Sequence, residues 1–366
     1  MTLCEKNSKT RKGDFNMEGK MKVAVMEGIG KMGYLERDIP VPKDDEVLVK
    51  LEYVGICGSD LHYYEHGRIG DYIVEPPFVL GHEPGGTVVE VGKDVKHLKV
   101  GDRVALEPGK TCGHCEFCKT GRYNLCPDVI FFATPPVDGV FQEYVAHEAD
   151  LCFKLPDNVD TMEGALIEPL AVAVHGVKQV GDVKGLNIAV LGAGPIGNLV
   201  AQAAKGMGAA KVMITDVSDL RLDKAKECGI DVCVNTMEKD FGEAMVEAFG
   251  PDKADVIYDC AGNNITMGQA IKYARKGSII VLVAVFAGMA TVDLAVANDH
   301  ELDIKSTMMY RHDDYVDGIE LVNEGKVHLR PLISKTFAFK DYLKAYQYID
   351  DNRETTMKVI INVNEK

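Results

Sequence analysis

The chain has 366 residues, 46% of them hydrophobic and 27% charged, the balance of a folded globular protein long enough for two domains. Fifty-six acidic against 41 basic residues leave a formal net charge of −15, and so acidic a surface repels nucleic acids and anionic membranes alike. Of the two long uncharged stretches, 185–204 is broken by Asn187, Pro195, Asn198, Gln202 and several glycines, and 277–292 is shorter than the roughly 20 apolar residues a bilayer span needs.

Residues 1–20 are polar and mixed in charge, without the apolar run of a secretory signal, and are expected to form a disordered extension before a strand at 21–26. From there to about 145 the pattern is one of short strands. Residues 47–54 alternate apolar and polar, 85–92 lie between glycines, and 102–105 begin a third run. Many short strands with glycine turns predict a β-rich domain. After residue 161 the style changes. Residues 162–180 have helical spacing, with Pro169 marking a kink or break. Strands are predicted at 186–191, 211–215, 232–234, 255–258 and 278–285, and helices at 195–207, 219–228, 241–249 and 267–274. That alternation implies a parallel sheet covered on both faces, so the fold class is α/β. A helix at 316–324 and a last strand at 358–363 follow, and this tail is expected to rejoin the first domain.

Gly192-Ala-Gly194-Pro-Ile-Gly197 follows a predicted strand and opens a predicted helix, the context that makes the pattern informative. Gly192 makes the tight turn, Gly194 lets a pyrophosphate approach the backbone, and Gly197 lets helix and strand pack closely. Asp216 ends the next strand, 19 residues after Gly197, where a carboxylate accepts hydrogen bonds from ribose hydroxyls and repels a 2′-phosphate. NAD is therefore predicted over NADP. Arg221 either lines the adenosine site or sits on an exposed helix.

Ten cysteines without a signal peptide point to thiolate chemistry in a reducing cytosol. Cys112, Cys115, Cys118 and Cys126 have the spacing of a single closed zinc site, although four thiolates also suit a [4Fe–4S] cluster. No position is left for water, so such a site is structural. Taken alone, His82 reads as a half-buried histidine and Cys57 as a core thiol. In one chain with the cysteine loop and the dinucleotide turn, Cys57 and Gly81-His82-Glu83 read instead as a mixed set that leaves a zinc position open.

These segments resemble the zinc-dependent medium-chain dehydrogenases, and within them the sorbitol (polyol) dehydrogenase branch. The resemblance runs from about residue 21 to 363. It is densest at Gly55-Ile-Cys-Gly-Ser-Asp-Leu-His-Tyr-Tyr64, Gly67-Arg-Ile-Gly70, Val79-Leu-Gly-His-Glu83, Gly121-Arg-Tyr-Asn-Leu125, Ala133-Thr-Pro-Pro136 and Ala165-Leu-Ile-Glu-Pro-Leu170. It implies a GroES-like β-rich catalytic domain at 21–170, a Rossmann NAD-binding domain at 171–309, and a segment at 310–366 returning to the catalytic domain. It also implies a catalytic zinc at Cys57, His82 and Glu83, with Glu168 completing the site directly or through water, and a structural zinc at the four cysteines. Ser59 and His62 match the family's proton relay, and Tyr63, Glu168 and Tyr310 its substrate contacts. The cofactor residues would be Gly192, Gly194, Ile196, Gly197, Asp216, Arg221 and Val283–Val285. The implied reaction oxidises a secondary hydroxyl of a polyol to the ketose with NAD as hydride acceptor, in a cytoplasmic homotetramer that joins Rossmann sheets edge to edge. In that reading the apolar stretch at 286–292, after the strand at 278–285, supplies the exposed edge.

One departure stands out. The polyol branch usually has Phe-Arg-Tyr where this chain has Met308-Met309-Tyr310, and a thioether cannot supply a guanidinium's fixed donors. Which polyol is preferred stays open, as does another secondary alcohol such as threonine, a butanediol or a sugar phosphate. A catalytically inactive NAD- and zinc-binding regulator would predict a broken ligand set, and Cys57, His82, Glu83 and Glu168 are all present. Cys152, Cys228, Cys233 and Cys260 read as small core residues, His114 as solvated, His175, His300, His312 and His328 as unpartnered, and the Asp313-Asp314 pair as surface charge.

Overall fold

The computed structural model describes residues 18–286 and 288–365. Most of the predicted extension, residues 1–17, lies outside the described residues, and the first strand begins at Lys20. A seven-stranded sheet runs in the order Cys152–Lys154, Arg103–Leu106, Glu83–Val91, Glu46–Ile56, Lys358–Asn362 and Ile333–Ala338, with Tyr144–Glu148 also paired to Glu46–Ile56. The tail does return: Lys358–Asn362 pairs antiparallel with Glu46–Ile56, more than three hundred residues away along the chain.

The second sheet has six parallel strands in the order Val232–Asn235, Lys211–Asp216, Asn187–Leu191, Val256–Asp259, Ile279–Leu282 and Asp303–Ser306. Numbered along the chain this is 3-2-1-4-5-6, the doubly wound order whose reversal point opens a crevice at the carboxyl ends of the strands. Ile188, Ala189, Val190 and Leu191 are all fully buried, as a strand covered on both faces requires.

Two details differ from the sequence expectation. The predicted helix at 162–180 is two helices, Thr161–Gly164 and Ile167–Lys178, and the break falls at Ala165–Leu166, ahead of Pro169. Pro169 sits in the first turn of the second helix, where its missing N–H has no helical partner to lose. The expected sheet edge is also displaced. Ile279–Leu282 is paired on both sides, residues 286 and 288–292 form no strand, and the sheet ends on the polar strand Asp303–Ser306. The short helix Leu294–Asp299, capped by Asp293, turns the chain back for that sixth parallel strand.

Helix Ile167–Lys178 buries almost its whole surface. Its Leu170, Ala173, Val174 and Val177 share one core with Ala105 and Phe153 of the first sheet and with Ile188 and Val190 of the second. Each fully buried Val or Leu contributes about 1.5–3 kcal/mol, so this helix fixes the two sheets relative to each other. Among the described residues no helix is long and apolar enough to cross a membrane.

Candidate active site and metal centres

Cys57 caps the helix Gly58–His66, and His82 and Glu83 lie at the start of the neighbouring strand Glu83–Val91. Asp60 ties the two together. Its Oδ2 accepts the Cys57 N–H at 2.9 Å and its Oδ1 the Gly81 N–H at 2.8 Å, while His82 Nδ1 stands 3.9 Å away. This carboxyl is completely buried, and burial pushes its pKa up. The sulfur of Cys57, an imidazole nitrogen of His82 and a carboxylate oxygen of Glu83 all lie within 4.8 Å of one another. One tetrahedral ion with bonds of about 2.0–2.3 Å fits that spacing with a fourth position free. Gly55 makes room for the carboxylate, since a Cβ there would stand 2.1 Å from Glu83 Oε2.

The tertiary structure also gives Glu83 a partner that nothing local in the sequence signals. Lys358 Nζ, on the returning strand, donates to both Glu83 oxygens at 2.6 and 2.8 Å, and both residues are buried. Glu168, in the first turn of the central helix, accepts the Tyr310 hydroxyl at 2.7 Å. Burial first and then the charge of Glu83 push the Glu168 pKa up to about 7, against the opposing pull of His82, Tyr310 and Lys358. Glu168, His82, Glu83 and Tyr310 thus form one buried group drawn from three distant parts of the chain.

Ser59 and His62 lie three residues apart on the helix that begins after Cys57, with Ser59 half-buried and His62 exposed. The His62 ring stacks on His66 with centroids 4.5 Å apart. Tyr63, on the inner side, is buried near Phe78, and burial raises its pKa to about 12.

At the glycine turn, Gly192 has φ +95° and its N–H donates to Thr215 O. A Cβ on Gly197 would stand 1.8 Å from Gly192 O, whereas one on Gly194 would meet nothing within 4 Å. The second glycine therefore leaves open space for a ligand's approach, and the third closes the helix onto the strand. Asp216 is drawn under the same turn, with Oδ2 accepting Ala193 N–H at 2.7 Å and Oδ1 accepting Val217 and Ser218 N–H at 2.8 and 2.9 Å. Arg221 is half-buried, its Nη1 3.9 Å from Asp216 Oδ2, which puts it at this site rather than on an open helix face. Ile196 is half-buried in the first turn of the following helix; Val283 is buried just past Ile279–Leu282, and Val285 is 89% exposed.

The sulfurs of Cys112, Cys115, Cys118 and Cys126 also lie within 4.8 Å of one another. Backbone N–H groups of Cys112, Cys115 and Cys118 each donate to a neighbouring sulfur at 3.4 Å, an arrangement that favours thiolates. The backbone N–H of His114 leads in lowering Cys112 to about 6. The Cys118 thiol is lowered as well, while Cys115, donating to its neighbours, is pushed up to about 11, and four sulfurs converging in this way fit a tetrahedral soft cation. His114 is exposed and lies outside the set.

Two expectations fail. Asp314 is fully buried rather than surface charge, and His175 does have partners: its Nδ1 is 2.8 Å from Asp314 Oδ2, with Lys178 Nζ 2.9 Å from Oδ1. Three residues of opposite or complementary type meet here only because two helices pack side by side. Of the four cysteines assigned to the core, Cys152 and Cys228 are buried and Cys233 and Cys260 half-buried.

A six-stranded dinucleotide-type sheet beside an open Cys–His–Glu cluster, with a closed four-cysteine loop nearby, defines a two-domain zinc-binding dehydrogenase. Residues 43–157 match the model of the alcohol dehydrogenase GroES-like domain and 195–324 that of the zinc-binding dehydrogenase domain. Human sorbitol dehydrogenase is 44% identical over 325 residues, 88% of this chain and 91% of that protein. A probable D-xylulose reductase A of Arthroderma otae is 41% identical, over 89% and 93%. Among solved structures, an oxidoreductase of unknown specificity from Escherichia coli superposes with a TM-score of 0.89 at 37% identity, covering 94% of this chain and 99% of that one. The chain belongs to the zinc-dependent medium-chain dehydrogenase superfamily, in its sorbitol dehydrogenase branch.

Proposed function

We propose that the protein oxidises a secondary hydroxyl of a polyol of the sorbitol or xylitol kind to the ketose, using NAD. The observation that carries this reading is the metal-sized set of half-buried Cys57 and buried His82 and Glu83, with the buried Glu168 carboxyl, held by Tyr310, close enough for the charges of His82 and Glu83 to shift its pKa. Similarity to sorbitol dehydrogenases and a D-xylulose reductase supports the substrate class. Cys57, His82 and Glu83 would hold the catalytic zinc, Glu168 would complete that site directly or through water, and the four cysteines would hold a structural zinc. When bound, zinc supplies the Lewis acidity that lowers a hydroxyl's pKa, and NAD supplies the hydride acceptor.

The chain's own residues do the rest. Tyr310 holds Glu168 toward the metal side, and Tyr63 closes the apolar wall of the substrate space. Ser59 and His62 carry the hydroxyl proton outward, from a half-buried oxygen to an exposed imidazole three residues away. Gly192, Gly194, Ile196 and Gly197 receive the pyrophosphate and its flank, Asp216 and Arg221 the adenosine ribose, and Val283 and Val285 the nicotinamide side.

The domain limits follow the same reading: 21–170 catalytic, 171–309 nucleotide-binding, and 310–366 returning to the first. A cytoplasmic setting suits four thiolates that must stay reduced. Assembly as a homotetramer suits the exposed Val285, Met289, Leu294 and Ile304 around the edge strand Asp303–Ser306. Rates of NAD reduction over sorbitol, xylitol, ribitol, galactitol, threonine and 2,3-butanediol test the substrate class. The expected result is turnover of several polyols well above threonine and butanediol. Equal rates on every compound, or none with zinc loaded, would refute it.

A further inference from the structure

We propose that the cysteine loop is the clamp that positions Tyr310, and through it Glu168, so that Tyr123 and Asn124 are positioning residues for the substrate site. This rests on the polyol reading above only for the activity it predicts. The segment that carries Tyr310 joins strand Asp303–Ser306 to helix His312–Asn323 without regular structure of its own. Met309, just before it, has φ +54°, a left-handed conformation that costs a residue with a Cβ and persists only where its surroundings impose it.

The surroundings that impose it come largely from the loop. Asn124, itself buried, donates Nδ2 to the Met308 carbonyl at 2.9 Å. The Tyr123 hydroxyl accepts the His312 N–H and donates to Glu107 Oε1 at 2.8 Å, so its lone pair is aimed at the helix start. Arg311 Nη1 reaches the Gly121 carbonyl at 3.4 Å. On the far side, Asp314 Oδ2 accepts the Arg311 N–H at 2.8 Å and faces His175 Nδ1 at the same distance. The other ring nitrogen, Nε2, lies 3.1 Å from the Gln179 amide and 3.4 Å from the Asn124 amide, so the same histidine stands between Asp314 and the loop. Backbone groups on both flanks of Tyr310 are therefore held, and the tyrosine hydroxyl emerges 2.7 Å from Glu168 Oε1.

The clamp is set by the cysteines. Tyr123 and Asn124 form the single turn Tyr123–Leu125, closed by the Cys126 N–H donating to Tyr123 O at 2.9 Å, and Cys126 is one of the four convergent thiols. Met309 lies over the base of the same loop, its Cε 3.3 Å from where a Cβ on Gly109 would stand. A loop of about fifteen residues without a core of its own is held at its base by the pairing of Gly109–Lys110 with Ile130–Phe131 and in its interior by the convergence of its four sulfurs. That shape is transmitted to the substrate side by hydrogen bonds whose loss leaves buried groups unpaired.

A double-mutant cycle on the full enzyme tests this. Asn124→Ala should lower kcat/KM for sorbitol about tenfold, with zinc content and the Kd for NADH within twofold of the unmodified protein. In a Tyr310→Phe background the same change should cost less than twofold, because the hydroxyl it positions is gone. With 3-fluorotyrosine at position 310, Asn124→Ala should shift and broaden the fluorine resonance. Equal losses in both backgrounds, or an unmoved resonance, overturn the proposal. Should Asn124→Ala lose its zinc or fail to fold, Tyr123→Phe, which keeps the ring and removes only the hydroxyl, is run through the same cycle and read by the same criteria. An enzyme inactive on every polyol refutes the substrate class, while the fluorine measurement still decides the clamp.

Discussion

The four-cysteine loop and the Cys57–His82–Glu83 cluster each bring metal-sized sets of donors together, and they are built in opposite ways. The loop takes all its donors from 112–126 and needs only its own turns and N–H···S hydrogen bonds to converge them. The mixed cluster draws its donors from a helix start and the beginning of a neighbouring strand, its orienting carboxyl from Asp60, its counter-charge from Lys358, and its outer carboxyl from Glu168, which Tyr310 holds. A locally built site is closed and stiff. A globally built one can leave a position open and tune the groups around it, because its surroundings are decided by packing rather than by spacing.

The largest expected effect separates the two directly. Cys57→Ala or His82→Ala should lower kcat on the order of a thousandfold or more, reduce zinc from two to one per chain, and leave the melting temperature within about 3 °C, roughly the effect of 1 kcal/mol. A one-zinc variant that kept full activity would erase the distinction between the sites. In the unmodified enzyme a chelator should take the catalytic ion first, since its mixed ligands and open position exchange water.

Lys358→Met tests how far the open site depends on the returning tail. In protein stripped of the catalytic zinc it leaves Glu83 buried without a counter-ion, a loss of about 3–5 kcal/mol, readable as a lower urea midpoint. A loss below about 1 kcal/mol would mean that the pair contributes little in place.

Glu107, beneath the cysteine loop, sharpens the comparison from the other side. Its Oε2 is buried with no partner among the described residues, and burial raises its pKa from 4.5 to about 7. Between those values the folded state holds a proton that the unfolded chain has released, so this group's stability is full below pH 4.5 and falls as pH rises to 7. The difference amounts to roughly 3 kcal/mol. Glu107→Gln should remove the decline, giving a variant that gains on the unmodified protein from pH 5 to pH 8 in urea titrations. Parallel curves would show that the carboxyl is ionised in the fold at little cost.

The smallest effect concerns the nucleotide turn, which stands between the two extremes: a local motif completed by a neighbouring strand. NAD should exceed NADP by at least about tenfold in kcat/KM, worth roughly 1.4 kcal/mol, and Asp216→Ser should narrow the ratio. Equal use of both cofactors by the unmodified enzyme would remove Asp216 from that role.

What was legible in the sequence is what depends on near neighbours along the chain. Cys112, Cys115, Cys118 and Cys126 lie so close that convergence needs no knowledge of the fold, and Gly192, Gly194 and Gly197 mark a turn whose geometry only glycine permits at Gly192 and Gly197. Alternating strands and helices after residue 161 announced the parallel sheet through apolar periodicity alone. The candidate ligands Cys57, His82 and Glu83 were readable only in the company of the cysteine loop and the dinucleotide turn, and then through family resemblance, because nothing in their own spacing brings them together.

The tertiary structure alone decided the rest. Lys358 meets Glu83 because a strand from the far end of the chain pairs with Glu46–Ile56. Asp314 and His175 looked like surface charge and an idle histidine until two helices packed and buried both. The edge of the parallel sheet fell on polar Asp303–Ser306 rather than on the apolar stretch before it, since a sixth strand had to be reached through Leu294–Asp299. Each of these turns on which distant segments share a buried interface. A buried polar group must find its partner there, at whatever sequence distance packing provides, and local pattern carries no record of that distance.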